Sequence, residues 1–223
     1  MEGTPSGRQA PVRTGPGEVG TEEDPTAPRV LHFPKVADPG PLGLAAFALT
    51  TFVLSFFNAD LAPKSGELIV FPLALAYGGI AQFAAGMWEF RTGNTFGAVA
   101  FTSFGAFWVS LWFFNQFFAE EIKDPGVVGH AVGLYLIAWG IFTTYMFVAS
   151  LRTTVAVSLV FFLLAITFFL LGFGNRGANA DVIKLGGYFG LATAIVAWYA
   201  SFAVVTNSTF GRTVLPVVPL KRE

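Results

Sequence analysis

A turn-forming run of Pro and Gly opens directly into an apolar segment at residues 38–52, with the sequence DPGPLGLAAFALTTF. Proline fits the first turn of a helix, where its missing N–H costs nothing, so this run predicts a helix start. The first N–H groups of a helix lack intrahelical partners and lie at the positive end of its dipole, so they can bind an anion. The groups predicted to be free belong to Leu42, Gly43 and Leu44. The plainer interpretation, an ordinary helix start, stays open. The candidate anion motif comprises Asp38, Pro39, Pro41, Leu42, Gly43 and Leu44.

A second polar candidate is Gln82, which stands in a stripe of small residues. Ala74, Gly78 and Gly86 share its face of a predicted helix, because residues four apart are neighbours on a helix. Such stripes normally bring helices into close contact, with the amide bonding across to another helix. The alternative is that Gln82 lines a polar path through the protein, and the sequence leaves both interpretations open.

A third candidate is an aromatic helix face in the stretch FTSFGAFWVSLWFF. Its members are Phe101, Phe104, Trp108 and Leu111, flanked by Gly97 and Gly105. The chain has 26 Phe in all, more than aromatic belts at a membrane interface require. We therefore expect some of them to form an internal constriction that excludes water and bare ions.

Composition indicates where these residues are placed. With 54% hydrophobic residues, only 12% charged residues and a mean hydropathy of +0.62, the chain is predicted to be a membrane protein. A net charge of −1 provides no basic face for nucleic acid. The absence of Cys excludes disulfides, thiol catalysis and iron–sulfur ligation, and two His make a zinc site improbable. We expect neither a cofactor nor the activity of a soluble enzyme.

Six apolar runs are each long enough to cross a bilayer as a helix. They span residues 42–58, 68–90, 96–118, 129–151, 155–173 and 182–206. The separators are short, so neighbouring helices should be antiparallel. The predicted fold is an all-α membrane protein with about six transmembrane helices. The predicted domains are a disordered cytoplasmic tail at 1–36, the transmembrane domain at 37–210, and a short cytoplasmic tail at 211–223.

The distribution of charge predicts the orientation. Nine of the 13 Lys and Arg residues fall on the side of the two termini, so the positive-inside rule places both termini in the cytoplasm of a multi-pass protein of the cell membrane. No Lys, Arg, Asp or Glu lies near the middle of a proposed span, which argues against a relay of buried carboxylates.

The order of these motifs is more specific than any one of them. DPGPLGL, then YGGIAQFAAGMWEFRTGNTFG, then FTSFGAFW and a late FGRTVLP closely resemble the acetate uptake transporter (GPR1/FUN34/YaaH) family over residues 37–216. That family includes bacterial succinate–acetate permeases and fungal acetate transporters. The resemblance implies a six-helix pore in each subunit of a homo-hexamer. It also implies transport of acetate and of other small carboxylates such as succinate, described as proton symport or as channel-like.

Two residues depart from the family pattern. Asp38 stands where the family has Asn, which brings a negative charge to the proposed anion site, and Phe104 stands where Tyr is usual, which removes a hydroxyl. In the family the narrowest point is a hydrophobic ring. The resemblance carries that constriction to Phe47, Phe104 and Leu164.

Two other functions stay open at this point. One is a channel for a small neutral solute such as a protonated acid, urea or ammonia. The other is a membrane assembly or sensor protein that transports nothing. The sequence also leaves open the choice between proton symport and a passive pore, and the preferred carboxylate.

Overall fold

The computed structural model describes residues 36–220 and contains six helices long and apolar enough to cross a membrane. They are α1 (Gly40–Asn58), α2 (Lys64–Thr92), α3 (Thr95–Phe117), α4 (Pro125–Ser150), α5 (Val155–Arg176) and α6 (Ala180–Phe210). The six-helix, all-α membrane fold is thereby confirmed. Apart from Val36, the tail predicted at residues 1–36 lies outside the described residues.

Polar residues in the short loops begin four of the helices. In each case a side-chain oxygen accepts a hydrogen bond from a backbone N–H of the first turn, which satisfies a donor that has no helical partner. The capping residues are Asn94, Asp124, Thr154 and Asn179. At Gly93, φ is +79°, a left-handed conformation that glycine adopts without steric cost, so α2 ends there and α3 turns back beside it.

Helix α2 is not regular along its length. It passes through Lys64–Ile69 as a 3₁₀ helix, Val70–Leu73 as an α-helix, Ala74–Ala81 as a π-helix and Gln82–Thr92 as an α-helix. Pro72 supplies no N–H to the helical ladder, and a Cβ on Gly79 would lie only 2.7 Å from the Ala74 carbonyl oxygen. Glycine at this position therefore allows the wider π turn, a feature that often marks functional sites.

The helices surround a central space. Helix α6 packs along α1 and α5, α4 packs along α5, α3 packs along α2, and α2 closes onto α1, whereas the consecutive helices α3 and α4 touch over only a short length. We call the side on which α1 begins and α6 ends the proximal side, and the opposite side the distal side. Because the number of spans is even, both ends of the helical domain lie on the proximal side.

The end of the chain folds back onto the proximal face. The N–H of Val155 donates to the Val218 carbonyl at 2.9 Å, and the N–H of Leu220 donates to the Thr153 carbonyl at 2.8 Å. The Tyr199 hydroxyl donates to the Pro216 carbonyl at 2.7 Å. The described part of the predicted 211–223 tail is therefore held against α6 and the loop between α4 and α5.

Candidate functional site

A cavity of about 280 Å³ lies among α1 to α5. It runs from asparagines at the distal ends of three helices, Asn58, Asn115 and Asn175, to Phe47 and Leu164 in the centre of the protein. Helix α6 contributes none of the residues that line it. The cavity is thus a vestibule that reaches from the distal side to about the middle of the helical bundle.

The inner end of the vestibule is apolar. Phe47, Phe104 and Leu164 are each exposed by 4% or less, and the rings of Phe47 and Phe104 are in contact, with centroids 5.9 Å apart. Phe104 is surrounded by further rings, among them Phe142 at 5.4 Å and Phe161 at 6.0 Å. The structure therefore brings two of the three predicted constriction residues together and places the third at the end of the same cavity. Their role as a gate stays a prediction.

The wall of the vestibule carries uncharged polar groups. Its hydroxyls belong to Thr51, Ser55 and Thr167. The Asn115 and Asn175 amides each donate one N–H to a carbonyl of their own helix, at 2.9 and 2.8 Å. These groups can hydrogen-bond a carboxyl group but bring no positive charge to it.

Charge and metal ligands are scarce around this space. Among the described residues that line the vestibule, Glu67 is the one that carries a charge. It lies in the first turn of α2, where its Oε2 is 3.7 Å from Nζ of Lys64. Over residues 36–220 no group of three or more acidic or His side chains could hold a metal ion. An anion in the vestibule would meet dipoles rather than a cation, which favours weak binding.

The start of α1 differs from the sequence prediction. The helix begins at Gly40, two residues earlier than expected, and the Gly43 N–H donates to the Pro39 carbonyl at 3.2 Å. The prediction of a free N–H at Gly43 is therefore wrong, and Leu44 falls in the second turn. The Asp38 carboxylate accepts a hydrogen bond from the Gly40 N–H at 2.8 Å, so the chain's own carboxylate occupies a donor at the helix start.

The remaining residues of this motif serve packing. A Cβ on Gly43 would lie 2.6 Å from the ring of Phe101, so glycine lets α1 lie flat against α3. The Ser201 hydroxyl donates to the Pro41 carbonyl at 2.7 Å and ties α6 to the beginning of α1. Leu44 is buried, whereas Leu42 is 45% exposed.

Gln82 lies in the packed seam between helices and is not among the residues that line the vestibule. A Cβ on Gly78 would lie 2.9 Å from the Trp108 ring, and one on Gly86 would lie 2.9 Å from the Thr102 Cα. The close packing predicted for the small-residue stripe is confirmed. The bond from the Gln82 amide to another helix is not seen: Gln82 is 1% exposed, and its Oε1 accepts no hydrogen bond from the residues that the structure describes.

A carboxylate that the sequence did not indicate as buried, Glu89, is 1% exposed near the proximal end of α2. Its Oε2 accepts a hydrogen bond from the Thr92 hydroxyl at 3.1 Å, and the Asn94 side-chain amide also interacts with the carboxylate, whereas Oε1 accepts no hydrogen bond from the residues that the structure describes. A Cβ on Gly40 would lie 3.3 Å from Oε1, and one on Gly97 would lie 2.7 Å from it. These two glycines allow α1 and α3 to close over the carboxylate.

Glu89 lies at the end of the predicted run 68–90, so the middle of each predicted span still contains no Lys, Arg, Asp or Glu, but a carboxylate is buried at the end of one span. Glu89 stands at the end of an apolar run, where a charged residue normally reaches the interface, and nothing in that run indicates its burial. Leaving such a group unpaired costs about 1–3 kcal/mol or more. A stable fold tolerates that cost most readily where the group has a function.

Residues 20–222 match the GPR1/FUN34/yaaH family. The chain belongs to this family. It is 42% identical over 212 residues to acetate permease A of Emericella nidulans, an alignment that covers 89% of this chain and 71% of that protein. It is 40% identical over 183 residues to the succinate-acetate/proton symporter SatP of Escherichia coli strain K12, with 82% of this chain and 96% of that protein covered.

The fold of the GPR1/FUN34/yaaH family is also matched directly. The structure of the bacterial acetate channel SatP superposes with a TM-score of 0.76 at 40% identity, over 82% of this chain and 99% of that one. The resemblance drawn from the motifs, and the multi-pass membrane fold that it implied, are confirmed.

Proposed function

We propose that this protein conducts acetate and other small carboxylates, such as succinate, across the cell membrane, and that it catalyses no chemical reaction. The observation that carries the proposal is the vestibule that ends on Phe47 and Leu164 beside Phe104, in a member of a family of acetate transporters. The vestibule supplies hydrogen bonds for the carboxyl group, and the aromatic end supplies an apolar surface for the methyl group.

An apolar constriction selects by dehydration. A hydrated inorganic ion would have to shed its water without replacement ligands, which is costly in a site of low polarity. A short monocarboxylate can slide its methyl group along the rings of Phe47 and Phe104 while its carboxyl group stays on the hydroxyls of the vestibule. Such a gate favours the short acid over a longer diacid.

The charges indicate how the substrate crosses. With Glu67 at its rim and no Lys or Arg among the described residues of its lining, the vestibule does not stabilise an anion electrostatically. We therefore propose that acetate crosses together with a proton, as net acetic acid. The excess of Lys and Arg on the proximal side supports cytoplasmic termini, and membership of the family supports a hexamer in which each subunit has its own path.

The test is uptake of labelled acetate into liposomes that contain the purified protein, with protein-free liposomes as the control for leakage of acetic acid through lipid. The proposal predicts saturable, protein-dependent uptake that rises as the pH falls and is inhibited by propionate. Inhibition by ammonia and not by carboxylates would instead support a channel for a neutral solute. The same rate with and without protein would support the assembly or sensor role.

Removal of the charge at Asp38 should strengthen substrate capture from the proximal side. Asn can accept the same hydrogen bond from the Gly40 N–H, so Asp38→Asn removes the charge and keeps the helix start. For an exposed carboxylate we expect an apparent acetate affinity about threefold higher at neutral pH. The measurement is the concentration dependence of acetate uptake in sidedness-controlled vesicles.

A matched control is present in the chain. Asp124 also precedes a Pro-Gly pair and accepts a hydrogen bond from the Gly126 N–H at 2.8 Å, but on the distal side. Asp124→Asn should leave the proximal affinity unchanged. An Asp38→Asn affinity equal to or below that of wild type at neutral pH would count against an electrostatic role for this residue.

A further inference from the structure

The buried polar atoms without a hydrogen-bond partner are concentrated in one region of the protein. Within residues 36–220 there are five such side-chain atoms, and they all lie on α1, α2 and α3. They are Thr51 Oγ1, Gln82 Oε1, Glu89 Oε1, Thr102 Oγ1 and Trp108 Nε1. The described parts of α4, α5 and α6 contribute none, although these helices also carry buried hydroxyls.

The atoms that lie next to each glycine show how far along the helical bundle each polar atom lies. Gly40 of α1 and Gly97 of α3 both lie next to the Glu89 side chain, so Glu89 marks the proximal end of this set of atoms. One turn of α2 closer to the distal side, Gly86 lies next to Thr102. Near the middle of the bundle, Gly78 lies next to Thr50 and Trp108. The polar atoms are therefore arranged in order along the seam between the three helices.

Gln82 lies between the proximal atoms of this set, on Glu89 and Thr102, and the distal ones, on Thr51 and Trp108. It stands between Gly78 and Gly86 on α2, next to Phe83, whose backbone a Cβ on Gly105 of α3 would approach to 2.7 Å. Phe104 is the neighbour of Gly105 in sequence, so Gln82 lies beside α3 at the level of the proposed gate. By helix rise, Gln82 is on the order of 10 Å from Glu89 along α2.

The distal end of the series reaches the vestibule. Thr51 and Trp108 both line that cavity. The five polar atoms thus extend from the Glu89 carboxylate near the proximal face, past the apolar contact of Phe47 with Phe104, to the inner end of the vestibule.

We propose that this seam is a proton path that runs parallel to the acetate path, with Glu89 as its proton-binding carboxyl. The inference rests on the proposed transport of acetate. An apolar gate offers no hydrogen-bond partners to a free proton, so a coupled proton that does not travel on the substrate's own carboxyl group needs a separate polar route. We call the five atoms the polar seam.

At Glu89 and Gln82 the chemistry of the polar seam suits a proton better than a carboxylate, whereas at its distal end Thr51 also lines the vestibule and Trp108 Nε1 can only donate. Glu89 Oε1 and Gln82 Oε1 are acceptors, and a carboxylate anion brings further acceptors. Water or hydronium can donate to both. In the proposed step, hydronium on the proximal side protonates the Glu89 carboxylate to a carboxylic acid and leaves water. The reverse step releases the proton to a water molecule that bridges toward Gln82, and the hydroxyl of Thr102 can both accept and donate along the way.

The charges around Glu89 permit this reaction. Asp38, which precedes α1, approaches the same point, because a Cβ on Gly40 would lie 3.0 Å from its Oδ1 and 3.3 Å from Glu89 Oε1. Helices α1 and α3 carry no ionisable side chain, and Arg91 is the basic residue in the last turn of α2. The Asp38 and Glu89 carboxylates are therefore close enough for their negative charges to repel each other.

The experiment compares two fluxes in the same proteoliposomes. Net acetate uptake is driven by an inward proton gradient, with K⁺ and valinomycin holding the membrane potential at zero. Exchange is measured with equal acetate on both sides and label on one side. Exchange needs no net proton movement, so the two rates separate proton coupling from passage of acetate.

For Glu89→Gln we expect protein-dependent net uptake to fall by about tenfold or more, with exchange near the wild-type rate. Glu89→Asp keeps a carboxyl group and should recover part of the net uptake. Glu121→Gln, which removes an exposed carboxylate from the loop between α3 and α4, should leave both rates unchanged. Thr102→Val should lower net uptake alone, and Thr144→Val on α4 is its matched control.

Wild-type net uptake in Glu89→Gln would overturn the proposal. So would an equal loss of exchange and net uptake in a folded variant, because the carboxyl group would then serve the acetate path or the fold. If the wild-type protein showed neither flux, the proposed transport function itself would fail, whatever the variants did.

Discussion

In Leu164→Ala, uptake of succinate relative to acetate should rise by about tenfold, because loss of side-chain volume at an apolar constriction relaxes discrimination by size. Leu164 is 3% exposed and stands at the inner end of the vestibule, where it helps to close the space beside Phe47. Phe47→Ala should act in the same direction. Phe104→Tyr adds a hydroxyl without widening the gate, so it should change the apparent affinity more than the ratio. The measurement is competition of unlabelled succinate against labelled acetate.

Leu171→Ala is the control for this prediction. Leu171 lies on the same helix and lines the same vestibule, two turns nearer to the distal side. Both substitutions remove a buried leucine and should cost about 2–5 kcal/mol of stability, so a general loosening of the fold would affect them alike. If the succinate-to-acetate ratio stayed at the wild-type value in Leu164→Ala, or rose equally in Leu171→Ala, the selectivity gate would lie elsewhere.

Gly187→Ala should prevent stable folding. A Cβ at this position of α6 would overlap the backbone nitrogen of Ala59 and lie 2.6 Å from its Cα. Backbone cannot move aside as a flexible side chain can, so α1 and α6 would have to separate along one of the longest helix contacts of the protein. We expect a loss of about 3 kcal/mol or more, seen as a lower Tm and as aggregation on size-exclusion chromatography in detergent.

Gly66→Ala is the matched substitution for this test. A Cβ on Gly66 would come no closer than 3.4 Å to the ring of Phe57, which is an ordinary contact. Its Tm should stay near that of the wild type. Equal Tm values for the two variants would show that the contact between α1 and α6 is looser than the structure describes.

Most of the fold could be predicted because the hydrocarbon core of a bilayer allows few kinds of spanning structure. A helix that crosses hydrocarbon needs an unbroken apolar run, and the predicted run at 155–173 lies inside Val155–Arg176 as observed. The π-helix at Ala74–Ala81 could not be predicted, because it depends on how Gly79 packs against its own helix. The return of the chain end onto Thr153 rests on hydrogen bonds between segments far apart in sequence.

The site was predictable to a different extent. The resemblance to the family led to Phe47, Phe104 and Leu164, and the structure places all three in the core near one cavity end. Glu89 was missed because hydropathy treats the end of an apolar run as exposed. Its burial depends on Gly40 and Gly97, which lie on other helices, and a one-dimensional pattern does not show which glycines will face a given side chain.

We expect acetate to pass through the vestibule, a claim that the absence of Cys from the chain allows to be tested directly. Thr167 lines the vestibule one turn from Leu164, so Thr167→Cys introduces a single thiol on the proposed path. Modification with a charged methanethiosulfonate should stop protein-dependent acetate uptake, and a reducing agent should restore it. Lys64→Cys, exposed on the distal side and outside the vestibule lining, should be modified without loss of uptake. Fully modified Thr167→Cys protein that still took up acetate at the unmodified rate would contradict the claim.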